Sequence, residues 1–313
     1  MSKIAPPESG HGPASLIGIT ALCVAMLLMP IGDAITKSLT SALSPSIIAA
    51  ARAIIQLAAF GIAALLLRRM LRGRVFSVFS LLAGLFSASI SWLLITAFQT
   101  MPIATAIAIF FVEPLLLTLL AGPLLGETPG PRRYLAVAVG LLGTLLILRP
   151  NFAVFGPVVL LPLLAAFAYA AHMIVTRKAM RDTSPLSFQL GASTAGAAAL
   201  IAIALIAPGD GGTLPGLTGL SGWVAAGIVT SGILVAVTFL LITFAFSRAE
   251  ASILAPLQYL EILGATAIGY LAFGDIPDLL TILGTMIILG SGLYILHRER
   301  KAGQHIEPIR RDI

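Results

Sequence analysis

The sequence predicts an all-α integral membrane protein whose ten transmembrane helices form two five-helix repeats of inverted topology. Three observations support this prediction: an apolar composition, ten apolar segments, and a pattern of prolines, glycines and acids that occurs twice. The chain is 58% hydrophobic and 10% charged, with a mean hydropathy of +1.03. A soluble domain usually carries about 25% charged residues. This chain therefore has too few charges to cover a water-facing surface.

The ten apolar segments are long enough to be read as membrane spans, because a helix crosses the bilayer core in roughly 20 residues. Lipid offers no partners to backbone polar groups, so long runs without alternation are expected to be helical. Residues 1–14 and 297–313 are predicted to be tails outside the membrane. In chain order the predicted segments are Ser15–Thr36, Ser46–Leu67, Phe76–Phe98, Ile103–Leu125, Tyr134–Leu148, Val154–Thr176, Leu186–Ala207, Gly222–Ser247, Ser252–Phe273 and Leu279–Leu296.

Basic residues predict the orientation, because they concentrate on the cytoplasmic side of a membrane protein. With the N-terminus inside, every one of the 19 basic residues except Lys37, Arg52 and Arg149 falls in a cytoplasmic tail or loop. Both tails are therefore predicted to be cytoplasmic, and a nucleic-acid partner is not expected. Abundant alanine and an excess of arginine over lysine are typical of a bacterial protein, so the predicted location is the bacterial inner membrane.

Two stretches of the chain repeat each other. AFQTMPIATAIAIFFVEP begins at Ala97 and AFSRAEASILAPLQYLEI begins at Ala245, and each holds a glutamate at the same place, Glu113 or Glu261. Since five helices are an odd number, a second five-helix copy enters the membrane from the opposite side. The predicted repeats are residues 15–148 and 154–296. The other matching features are two Ser-Pro segments and two glycine–acid pairs, at Pro45 and Pro185 and at Gly126-Glu127 and Gly274-Asp275.

With these features the chain resembles the drug/metabolite transporter superfamily, EamA-type, from about Ser15 to Leu296. The resemblance implies a ten-helix transporter with a proline in the middle of the fourth and the ninth helix. Pro114 fits that pattern, but its counterpart is Ile262, and the nearest proline, Pro256, comes earlier. The second helix break is therefore expected nearer the cytoplasmic side than the family pattern implies.

Glu113 and Glu261 are the leading candidates for binding a substrate or a proton. An ionised acid near the bilayer centre costs on the order of 3 kcal/mol, so a carboxyl group at that depth is expected to have a structural or functional role. Each of the two groups could exchange protons or hold a cationic part of a substrate. The alternative is a protonated glutamate that only stabilises packing. Pro114 has no N–H and leaves a carbonyl free one turn back, which favours a binding site beside Glu113.

Asp33 and Arg52 form a second candidate pair, because their predicted depths in the first two helices match. They are interpreted either as an ion pair that fixes two helices together or as an outer gate. Lys37 is predicted to anchor its helix at the membrane interface. Other polar and aromatic side chains are candidates for lining a substrate cavity: Trp92, Gln99, Tyr169, His172, Gln258 and Tyr259.

The predicted function is secondary active transport of small organic metabolites or drugs, most simply proton-coupled export by alternating access. No GxxxxGK[ST] stretch is present to bind a nucleotide, and no cofactor or metal site is predicted. An enzyme is disfavoured because the sequence has no HExxH or GxSxG motif. An uptake carrier or exchanger of the same fold, a channel and a receptor stay open as alternatives. The expected partners are a small-molecule substrate and the lipid bilayer.

Overall fold

A computed structural model describes residues 13–125, 131–180, 182–206, 220–248 and 257–304, and every regular element within these ranges is a helix. Gly126-Glu127, Pro256 and most of the predicted loop from Pro208 to Gly222 lie outside the described residues. The α-helices, numbered here along the chain, are α1 Pro13–Leu39, α2 Pro45–Leu66, α3 Val78–Thr100, α4 Ile103–Phe110, α5 Glu113–Leu125, α6 Pro131–Phe155, α7 Leu160–Ala179, α8 Pro185–Ile206, α9 Gly222–Arg248, α10 Leu260–Phe273 and α11 Leu279–Gln304. Two short 3₁₀ helices span Arg68–Met70 and Gly156–Val159.

Six helical stretches in the described ranges are long and apolar enough to cross a membrane: Leu16–Leu39, Pro45–Leu66, Val78–Thr100, Asn151–Ala179, Pro185–Ile206 and Gly222–Arg248. Four shorter apolar helices occupy the other predicted spans, at Ile103–Leu117, Tyr134–Leu148, Leu260–Phe273 and Leu279–Ser291. Large apolar side chains cover the outside of the bundle, and Leu271 is 81% exposed. Such a surface suits lipid rather than water. The protein is therefore a multi-pass membrane protein.

Local sequence signals explain where several helices begin. Ser44 accepts a hydrogen bond from the backbone N–H of Ile47 at the start of α2, and Pro45 occupies the first turn, where a missing N–H costs nothing. Ser77 and Ser80 form a reciprocal capping box at the start of α3. These caps place the helix starts within two residues of those predicted.

The break between α6 and α7 comes later than predicted. The predicted fifth segment ended at Leu148, before the Arg149-Pro150 pair. In the structure α6 continues to Phe155, and the chain turns at Gly156, whose φ of 65° lies in the left-handed region that glycine tolerates. A proline only restricts the residue before it and removes one donor, whereas a left-handed glycine ends the helix.

The helices pack across the bundle in matching pairs. Helix α1 lies along α9, and α7 lies along α3; similarly, α8 contacts α3, and α2 contacts α9. Two further contacts join α2 to α8 and α6 to α11. Small residues permit the close crossings: at the α6–α11 contact a Cβ on Gly143 would lie 2.9 Å from the Gly284 carbonyl oxygen.

Connections at opposite ends of the bundle hold its halves together. At one end, the backbone N–H of Arg72 donates to the hydroxyls of Ser184 and Ser187, both at 3.1 Å, and the Ser184 N–H donates to the Arg72 carbonyl at 2.9 Å. At the other end, Lys37 Nζ lies 2.6 Å from Asp275 Oδ2 and over the Phe273 ring. Lys37, predicted to be an interface anchor, thus forms an ion pair between α1 and the second residue after α10.

Candidate functional site

A cavity opens between α1, α2, α3, α7, α8, α9 and the start of α10. It contains about 1090 Å³ of space not filled by protein atoms, part of which is open to solvent. Most of the lining is apolar, and the polar side chains include Asp33, Arg52, Gln56, Gln189, His172 and Glu261. A mainly apolar lining with several convergent polar groups is typical of a small-molecule site.

Arg52 brings a positive charge to this cavity. Its side chain is only 7% exposed, and its Nε atom is buried with no hydrogen-bond partner among the described residues. Gln56 follows one helical turn later on α2 and lines the same cavity, because residues four apart share a helix face. A guanidinium carries five donors and no acceptor. Arg52 is thus a buried cation with unused donors beside the cavity.

Asp33 and Arg52 lie near each other, but the structure differs from the predicted direct ion pair. Both line the cavity, and their opposite charges are close enough to attract. In the described part of the chain, however, the ion pair within 4.0 Å is Lys37–Asp275, and none joins Asp33 to Arg52. The pair therefore borders a space instead of closing it.

Glu113 and Glu261 converge on a second, smaller cavity of about 280 Å³. Each side chain is 4% exposed, and Gln258 lines the same space, as predicted from its position one turn before Glu261. Glu261 borders the large cavity as well, together with Phe110 and Tyr169. Glu113 lines the smaller cavity only. The two glutamates are therefore brought together, and one of them also faces the large cavity.

A helix break precedes each glutamate. Phe111 and Val112 form a turn between α4 and α5, because Pro114 cannot donate to the Phe110 carbonyl. In the second half, Tyr259 is the turn residue before α10, although position 262 holds isoleucine. Among the described residues, the second break therefore lies within two residues of its glutamate, as the first one does. A break at Pro256 stays a prediction, because that residue lies outside the described ranges.

Aromatic rings surround the two carboxyl groups. Phe110 packs edge-on against Tyr169, with ring centroids 5.4 Å apart, and Phe111 packs against Tyr259 at 5.7 Å. Tyr259 is 8% exposed and contacts this cluster without lining either cavity. Tyr169 and Phe110 line both cavities. Tyr169 was one of the cavity candidates from the sequence, whereas Phe110 was not a candidate. The available signal for Phe110 was its position three residues before Glu113 in the fourth predicted span.

Two other sequence candidates have mainly structural contacts. Trp92 packs, partly buried, against the apolar cluster between α2, α3 and α8, and it lines neither of the two cavities. Its assignment as a substrate contact stays a prediction. His172 is 3% exposed, and its Nδ1 lies 3.1 Å from the Ala83 carbonyl oxygen, although its ring also borders the large cavity.

The fold and the cavity define a class of protein, namely a multi-pass membrane protein with a largely apolar cavity between its helices. Comparison with known families is more specific. The sequence matches the EamA-like transporter family over residues 16–149 and 156–296, and the chain belongs to that family. It is therefore a transporter-family protein and not an enzyme, as the sequence predicted.

Curated relatives share part of the sequence. The chain is 28% identical over 209 residues to a riboflavin transporter of Rhizobium johnstonii, an alignment that covers 66% of each chain. It is 31% identical over 201 residues to an S-adenosylmethionine uptake transporter of Rickettsia bellii, covering 64% of this chain and 66% of the relative. The aligned parts thus span slightly less than two thirds of these relatives. The predicted direction of export finds no support, since the Rickettsia protein is named for uptake.

The fold also resembles a known crystal structure. The two chains superpose with a TM-score of 0.61 at 24% sequence identity, and the match covers 92% of this chain and 98% of the other. At this level of identity the likeness concerns the fold alone. The shared fold covers nearly the whole chain.

Proposed function

We propose that this protein is a secondary carrier that takes up a small organic metabolite by alternating access, with the large cavity as its solute site. The observation that carries the proposal is the cavity itself, a largely apolar space between the helices that Arg52, Asp33 and Glu261 border. A carrier site of this kind lies near the middle of the membrane between two repeats.

We also propose ten transmembrane helices in two inverted repeats, residues 15–148 and 154–296. The family match falls into two stretches with nearly these bounds. The packing pairs support the same arrangement. If α7 is the counterpart of α1 and α9 the counterpart of α3, then the α1–α9 contact in the bundle corresponds to the α7–α3 contact. Glycines support it as well: Gly84 on α3 packs against α8, and Gly232 on α9 packs against α2.

Proton coupling through Glu113 and Glu261 is part of the proposal. Two carboxyl groups that share a buried site cannot both ionise cheaply, so at least one is expected to hold a proton. The start of a helix favours a carboxylate by about 0.3–1 kcal/mol, whereas desolvation of a buried ion costs several kcal/mol. The desolvation cost of an ionised carboxylate is therefore larger than the stabilisation that the starts of α5 and α10 provide. A proton that leaves when the site opens to the other side supplies the coupling.

Uptake is favoured over export because relatives are named S-adenosylmethionine uptake transporters. The predicted orientation, with both termini cytoplasmic, agrees with a bacterial inner-membrane carrier. The nature of the cavity lining suits a solute with a ring system and few charges. S-adenosylmethionine and riboflavin, the solutes named for the relatives, are therefore the first to be tested.

Counterflow in proteoliposomes tests this function. Vesicles containing the purified protein are loaded with a high concentration of one candidate solute, and entry of the labelled solute is followed. A carrier should give transient accumulation that saturates with solute concentration, because exchange occurs at a single alternating site. Entry that rises linearly and without counterflow would indicate a channel. Absence of exchange across a metabolite panel that includes both named solutes would refute the carrier.

Proton coupling has its own test in the Glu113→Gln and Glu261→Gln variants. Glutamine keeps the size of the side chain but cannot titrate, so net uptake should lose its dependence on a pH gradient while counterflow partly survives. We expect the larger effect from Glu113→Gln, since Pro114 directly follows it and removes a backbone donor there, whereas the residue after Glu261 is isoleucine. Asp182→Asn, at an exposed position, is the matched control and should change nothing. Unchanged pH dependence in both Gln variants would make the glutamates packing residues.

A further inference from the structure

The space between Asp33 and Arg52 has the characteristics of a binding subsite. The two side chains come from different helices, α1 and α2, and both border the large cavity. Arg52 is more than nine-tenths buried, and no described residue accepts a hydrogen bond from its Nε. A buried charge that lacks a close partner is costly, and a protein keeps one when it has a use for it.

The chemistry of Arg52 indicates an anionic ligand group. The planar guanidinium matches a carboxylate in a two-bond, fork-like geometry, and such charge-assisted bonds are stronger than neutral ones. A phosphate group, with up to two negative charges, suits this place less well because Asp33 lies close by and Glu261 borders the same cavity. A group with one negative charge and a neighbouring positive charge suits both sides. The carboxylate would meet Arg52, and the ammonium would meet Asp33.

We propose that Asp33 and Arg52 form a subsite for an α-amino carboxylate group, so that the transported solute is an amino acid or a larger molecule carrying one. The two charges attract each other without forming a direct salt bridge. A zwitterionic group bound between them can therefore pair with Arg52 through its carboxylate and with Asp33 through its ammonium. Gln56, one turn beyond Arg52, adds a neutral hydrogen-bonding group to the same wall. This inference rests on the proposed carrier function, and it assigns the part of the solute that the carrier recognises.

The two solutes named for the relatives differ in this respect. S-adenosylmethionine carries an α-amino carboxylate, whereas riboflavin carries none. The subsite therefore predicts that this chain prefers the first kind of solute. Affinity should depend on both charges of the group, because a free amine leaves Arg52 without its partner and a free acid leaves Asp33 without one.

Thermal unfolding of the purified full-length protein tests the proposal with defined probes. These are S-adenosylmethionine and the proteinogenic L-amino acids, each measured beside the corresponding decarboxylated amine and deaminated acid. At about a hundredfold excess over its Kd, a bound amino carboxylate should raise the unfolding midpoint by on the order of 5 °C. The matched amine and acid should raise it far less. If no amino carboxylate stabilises the protein, or if amine or acid does so equally well, the proposal is wrong.

Variants identify the residues involved. Arg52→Gln should weaken binding of the stabilising amino carboxylate by about 10-fold to 100-fold, the range expected for lost hydrogen bonds to a charged group. Arg68→Gln makes the same change at an exposed position just after α2 and should leave binding unchanged. Undiminished binding in Arg52→Gln would overturn the proposal. If the Arg52→Gln variant does not fold, two measurements still test the proposal. One is binding of the amino carboxylate to Asp33→Asn, and the other is the comparison of amino carboxylate, amine and acid on the wild-type protein.

Failure of this inference can be told apart from failure of the carrier function. Counterflow of riboflavin without any response to amino carboxylates would keep the carrier and refute the subsite. Binding of an amino carboxylate without counterflow of any solute would keep the subsite and refute the carrier.

Discussion

Gly84 lies where α3 crosses α8, and its replacement by alanine should destabilise the protein. A Cβ atom at position 84 would lie 2.7 Å from Ala195 Cβ and 2.9 Å from the Gly196 backbone nitrogen, and closer still to the Ala192 carbonyl oxygen. Contacts below 3.0 Å essentially never occur for real Cβ atoms. Because two of these three neighbours are backbone atoms, α8 itself has to move away.

The expected size of the effect follows from two opposing terms. Overpacking that moves the backbone costs about 1–3 kcal/mol. Alanine in place of glycine inside a helix returns about 0.5–1 kcal/mol. The net loss for Gly84→Ala is therefore about 1–2 kcal/mol, which corresponds to a fall in Tm of about 2–8 °C.

Gly61→Ala is the matched control, since a Cβ at position 61 of α2 meets nothing within 4 Å. That variant should unfold at or slightly above the wild-type temperature. Gly232→Ala should also lower the unfolding temperature, because its nearest contact, 2.7 Å from Ile55 Cβ, is with an atom fixed to the α2 backbone. Intrinsic tryptophan fluorescence of the purified variants follows unfolding. If Gly84→Ala unfolds no earlier than wild type, the α3–α8 packing described above is incorrect.

Three other predictions concern the ends of the bundle and the orientation. Lys37→Gln should lower Tm by a few degrees at most, because a partly exposed ion pair contributes about 0.2–1 kcal/mol. If Asp275→Asn lowers Tm by the same amount in the Lys37→Gln background as in the wild-type protein, the two residues do not interact. Asn151→Ala should cost about 1–2 kcal/mol in a denaturant titration, since its buried amide donates to the Ile147 carbonyl and to a hydroxyl of α11; an unchanged midpoint would contradict this. A cytoplasm-specific reporter should be active after Arg311 and silent near Gly212, and the reverse pattern would refute the proposed orientation.

The sequence was sufficient to predict most of the helices. Long apolar runs that begin at serine caps define α2 and α3 within two residues, because these signals act locally. The end of α6 was predicted too early, because the Arg149-Pro150 pair resembles a helix boundary when only the sequence is considered. Gly156, which takes the left-handed backbone conformation, determines the turn in three dimensions.

The candidate site was only partly predictable. Glu113 and Glu261 stood out because a carboxyl group is costly in an apolar helix, and the repeat linked them. A second break was expected near Pro256, which lies outside the described residues, and the turn at Tyr259 comes three residues later. The separation of Asp33 from Arg52 depends on how α1 and α2 diverge around the cavity, and sequence spacing carries no information about that distance. Tyr169 lines both cavities through the packing of α7, which is likewise a tertiary effect.

The most direct test of the central claim is whether blocking the large cavity blocks transport. Ser91 lines the cavity, while Ser89, two residues earlier on α3, lies on the exposed side of the same helix. Each is replaced by cysteine in a Cys23→Ala background, which removes the single native cysteine. Treatment of the Ser91→Cys protein with N-ethylmaleimide should abolish solute counterflow, excess solute should protect against the reagent, and Ser89→Cys should keep its activity. Full counterflow in a Ser91→Cys protein shown by mass to be modified would contradict the assignment of this cavity as the solute site.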